Sequence, residues 1–101
     1  MEKIGMNIEL SENVVQGHYS NLAIISHSTS EFIIDFAAVL PGMTKTQVKS
    51  RIILTPEHAK RLLMSLQENI MRYENNVGKI EIHKSQPPVI PSEPGFGGKP
   101  A

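Results

Sequence analysis

Four histidines, His18, His27, His58 and His83, are the side chains of this sequence best suited to acid–base or metal chemistry. No two of them stand four apart on one helix, the spacing that puts two imidazoles on a common face. His18 and His27 could meet only across a hairpin, and two imidazoles without cysteine or a placed carboxylate do not complete a metal site. Ser26, Ser28 and Ser30 crowd around His27, but a nucleophile–base pair is set by geometry across a fold, not by adjacency. Turn-forming and strand-capping roles account for these hydroxyls. The acidic residues are scattered, with no pair marked for acid–base work. Gly95-Phe96-Gly97-Gly98 has no helix after it to present amides to a phosphate. Cysteine is absent, which removes disulfides, thiolate metal sites and a thiol nucleophile together. The expectation is a protein that is not an enzyme and takes no cofactor.

Charge supplies the other chemical candidate. No acid occurs between Asp35 and Glu57, whereas Lys45, Lys49 and Arg51 all lie there, with Lys60 and Arg61 soon after. Lys49 and Arg51 are two apart in a strand and are expected to point the same way. Lys45, Lys49 and Arg51 therefore form a candidate contact for an anion, a nucleic acid or an acidic protein surface. The competing reading is a solvated face on which Asp35 of the neighbouring strand neutralises the cations. Ten basic and ten acidic residues leave zero net charge, which excludes a generally basic nucleic-acid binder.

These residues need elements to hold them. Thr55-Pro56-Glu57 supplies a capping hydroxyl, a proline at the first helical position and an acid in the first turn. Ala59, Leu62, Leu63, Leu66, Ile70, Tyr73 and Val77 then recur at three- and four-residue spacing, which predicts a helix over about Pro56–Asn76 with one apolar stripe. Glu57 with Arg61 and Glu68 with Arg72 form acid-before-base pairs on its wet side. Upstream the period is two. Phe32, Ile34, Phe36 and Ala38 alternate with Ile33, Asp35 and Ala37, and Val48, Ser50, Ile52 and Leu54 alternate with Lys49, Arg51 and Ile53. Pro41-Gly42-Met43-Thr44 reads as the turn between these strands. Asn21–Ser26 is a further strand, ended by a turn at His27–Ser30. Ile8 with Leu10 is a shorter and weaker strand, Ile80 with Ile82 is a candidate edge strand after the helix, and the sheet is read as about four strands. The fold class is α+β: an antiparallel meander followed by one long helix, in two layers.

One helix covers one face of such a sheet, and the other face should read polar. Ile33, Ala37, Val39 and Ile53 instead share it with Asp35, Lys49 and Arg51. Ile33, Val39 and Ile53 are thus candidates for self-association into a dimer or larger oligomer, with Met64 and Met71 at the helix margin. The folded domain is read as residues 6–83. Residues 84–101 hold five of the seven prolines and read as a disordered Pro/Gly-rich tail. No signal peptide or membrane-spanning run is visible, so a soluble cytoplasmic protein is expected.

Three blocks carry a family resemblance: Tyr19–Ser28, Ser30–Phe36 and Leu54–Leu63. Together they resemble the small bacterial and archaeal proteins grouped as domain of unknown function 3467, over about residues 8–76. The resemblance implies a compact sheet-and-helix domain without recognised catalytic residues. The chain looks like the Bacteroidota-like branch, whose members are encoded near large RNA polymerase subunits. That implies a partner in the transcription machinery.

Overall fold

The structure is a computed structural model of the 101-residue chain, and residues 7–83 and 89–91 are described. A four-residue helix, α1 (Glu12–Val15), precedes three strands, β1 (Leu22–His27), β2 (Phe32–Ala37) and β3 (Val48–Leu54). The long helix α2 (Pro56–Asn76) follows, and then a short strand, β4 (Val89–Pro91). β2 lies between β1 and β3 and is antiparallel to both.

Local chemistry accounts for three of the boundaries. Ser28 closes the β1–β2 loop: its N–H donates to Glu31 O at 2.9 Å, and its Oγ accepts from Ser30 and Glu31 N–H at 3.1 and 3.3 Å. The serine-rich turn is thereby a backbone device. Leu40-Pro41-Gly42-Met43 forms a type II turn, with Gly42 at φ +82°, where an L side chain is strained, and Met43 N–H donating to Leu40 O. At α2, Thr55 Oγ1 accepts from His58 N–H at 3.1 Å, and Pro56 occupies the first turn. Replacing Thr55 with Ala should cost about 1 kcal/mol in urea unfolding; an unchanged midpoint would show that the cap is dispensable.

The expected four-strand meander needs correction. Residues 7–10 form no strand, and neither do residues 78–83; Ile8 and Ile82 stand exposed. A three-residue alternation is compatible with a strand but cannot create the partner that would supply its hydrogen bonds. The antiparallel sheet therefore has three strands. The added edge strand is β4, parallel to β1, with Ala23 opposite Val89 and Ile25 opposite Pro91. At those three residues the chain is strand where a disordered tail was expected. The rest of 84–101 lies outside the described residues, as do residues 1–6.

Side chains of residues paired across antiparallel strands share a face. The pairing puts Ala23, Ile25, Phe32, Ile34, Phe36, Ile52 and Leu54 on one face. Leu22, Ile24, Ser26, Ile33, Asp35, Ala37, Arg51 and Ile53 fall on the other. Among the described residues Ala37, at 1% exposure, is the single fully buried apolar side chain, and α2 contains no buried residue. The second layer is consequently open. No helix among the described residues is long and apolar enough to cross a membrane.

Candidate apolar groove and basic strand

Arg51 is held by Asp35 directly across the β2–β3 ladder. Its Nε donates to Oδ1 at 2.7 Å and its Nη2 to Oδ2 at 2.9 Å, a two-pronged arrangement that matches the planar guanidinium to the carboxylate. The side chain of Asp35 is 11% exposed and that of Arg51 56%. Hydrogen bonds from Arg51 hold the Asp35 carboxyl below its ordinary pKa, against the opposing effect of burial. The guanidinium is thus committed within the fold.

Lys49 does not extend this site. Phe36 pairs with Ser50 but Ala37 pairs with Val48, so Lys49 is the extra residue of a bulge. The bulge interrupts the period-two alternation, and the spacing that tied Lys49 to the direction of Arg51 no longer applies. Lys45 is exposed, in the connection from residue 38 to 47. The three cations expected together are one internal ion pair, one bulge residue and one loop residue.

Of the proposed self-association residues, Ile33 and Ile53 are direct cross-strand partners on the face that carries Asp35 and Arg51. Ile33 is half-buried and Ile53 exposed. Val39 lies past the end of β2, where Asn21 holds it: Val39 N–H donates to Asn21 Oδ1 at 2.7 Å and Asn21 Nδ2 donates to Val39 O at 3.0 Å. The amide of Asn21 imitates one more rung of the ladder. Nothing in the periodicity pointed to Asn21, because its role depends on a backbone 18 residues away.

The larger apolar surface is on the opposite face. Ile25, Phe32 and Ile34 from the sheet and Ala59, Leu62, Leu63 and Leu66 from α2 wall an open groove of about 620 Å³. Among the described residues Lys60 is the one charged residue lining it. Leu63 and Leu66 are 61% and 54% exposed although both belong to the helix stripe that was expected to pack on the sheet. Farther along, Ile70, Tyr73 and Val77 continue that stripe and are also exposed. Met64 and Met71 are exposed and lie off the stripe. On the wet side Glu57 pairs with Arg61, and Arg72 Nη2 donates to Glu68 Oε2 at 2.9 Å.

The histidines take structural or solvent positions. His27 stacks on its cross-strand partner Phe32, with ring centroids 5.2 Å apart. Among the described residues no three His, Asp or Glu side chains are grouped to hold a metal ion.

These features define an α+β sheet-and-helix domain with an open apolar groove. The chain belongs to the family described as protein of unknown function (DUF3467), whose model matches residues 1–82. No curated protein and no solved structure matches it.

Proposed function

We propose that this protein is a small non-catalytic protein-interaction module that works as a self-associated unit in the cytoplasm. The observation that carries this reading is the uncovered groove between α2 and the sheet, continued by the exposed stripe of the same helix. Its volume is within the range of small-molecule sites, but such sites orient their ligands with a few convergent polar groups. Here one lysine stands among aliphatic and aromatic walls, a lining that suits apolar side chains of another polypeptide. Large contiguous apolar patches on soluble proteins mark such contacts. Ile33 and Ile53 provide a smaller second patch. Sedimentation of the full chain from low to high micromolar concentration tests the reading. A dimer or larger species is expected; a monomer throughout, unfolding cooperatively, would overturn self-association.

A second reading rests on the stretch from residue 36 to 56, which carries no acid. Lys45 and Lys49 are exposed there and take part in no ion pair among the described residues. They would serve a transcription-associated accessory protein that touches RNA polymerase or nucleic acid, without Arg51. Titration with random single-stranded RNA at two salt concentrations addresses it. Each phosphate contact contributes about 0.7 to the slope of log affinity against log salt, and Lys45→Ala with Lys49→Ala should flatten it.

A further inference from the structure

We infer that the occupant of the groove is α2 of a second copy of this chain, running antiparallel across a two-fold axis near Gln67. This deepens the self-association reading and rests on it. The helix carries both halves of a contact. Its proximal stripe, Leu62, Leu63 and Leu66, walls the groove, while its distal stripe, Ile70, Tyr73 and Val77, lies beyond the walls of that groove and is exposed. A two-fold operation brings the distal stripe of each copy to the proximal groove of the other, so one surface serves as socket and plug.

Charge along α2 selects the antiparallel direction. The proximal half has Glu57, Lys60 and Arg61 and is net basic; the distal half has Glu68, Arg72 and Glu74 and is net acidic. Lys60 and Glu74 are each seven residues from Gln67. At 3.6 residues per turn they lie on the same flank of the apolar stripe. In an antiparallel two-fold pair, equal flanks face each other, so Lys60 of each copy meets Glu74 of the other, twice per dimer. A parallel pair would instead set the two basic halves together. The zero net charge of the chain imposes no overall repulsion on two copies.

The area is also of the right order. A large side chain carries about 60–120 Å² of apolar surface. The partly exposed residues of the groove and stripe then offer about 250–500 Å² per copy, near the roughly 500 Å² of apolar area in a standard interface of about 800 Å² per partner.

Charge reversal with sedimentation equilibrium of the full chain tests the pairing. Lys60→Glu or Glu74→Lys alone should raise the dimer dissociation constant roughly 2- to 30-fold, as expected for two copies of an exposed pair. The double reversal should restore it to within about twofold of the original value. Tyr73→Glu, which puts a charge into the plug, should abolish the dimer; where loss of the dimer takes the fold with it, the reversal pair carries the decision. A dimer indifferent to both single reversals overturns the helix pairing and leaves self-association standing. A wild-type monomer overturns both.

Discussion

The melting temperature of the full chain is expected to rise by roughly 5–10 °C for each hundredfold increase in protein concentration. Within one chain the described residues bury a single apolar side chain completely, and every large apolar residue of α2 is exposed. Domains this small have little surplus between burial and chain entropy even when their core is closed. Folding should therefore be coupled to association, and mass action then enters the stability directly. A hundredfold change in free partner is worth about 2.7 kcal/mol per dimer. Spread over the unfolding entropy of two chains, that gives the stated shift. Calorimetry at several concentrations measures it. A midpoint that does not move with concentration would mean that one chain is stable alone and that the groove belongs to a different partner.

The second large effect concerns the ion pair across β2 and β3, and it should be asymmetric. Arg51→Ala leaves the nearly buried Asp35 carboxylate without its two donors, whereas Asp35→Ala leaves a guanidinium that is already half in water. An uncompensated buried charge is the costlier remnant. Arg51→Ala should lower the melting temperature by several degrees at neutral pH, and Asp35→Ala by less. The pH dependence follows from the lowered pKa of Asp35. Unfolded, this carboxyl titrates near the ordinary value of about 3.9. Because its folded pKa is lower, the pair's contribution is fully present above that value. It is lost as pH falls through the folded pKa. The difference between wild type and Arg51→Ala should accordingly shrink in acid. A neutral-pH melt unaffected by Arg51→Ala would return Arg51 to the candidates for partner contact.

How much of this was legible depended on the range of the interaction. The helix over Pro56–Asn76 could be read because its start and its stripe are local: Thr55 caps His58 three residues on, and the stripe repeats every turn. The strands from Phe32 to Ala37 and from Val48 to Leu54 could be read because period-two alternation is a property of the strand itself. Asp35 could be named as a neutralising partner for the basic strand, since a hairpin brings the two segments together. The bulge at Lys49 could not, because the extra residue is defined only against the opposite strand. The strand at Val89–Pro91 and the amide bridge from Asn21 to Val39 were equally hidden, for they use backbone groups supplied by a distant segment.

The candidate site divides along the same line. An apolar stripe on α2 and an apolar face on the sheet are properties of residue spacing, and the sequence by itself determined both. Whether one covers the other depends on the direction in which the helix leaves β3 through the single residue Thr55. No side-chain period encodes that direction; it is settled by the packing of whole elements. Only the tertiary structure decided that stripe and face stand apart and leave a groove of about 620 Å³ between them. The same spacing that predicts a closed two-layer core in one chain is, physically, as well satisfied by apolar contacts contributed from another.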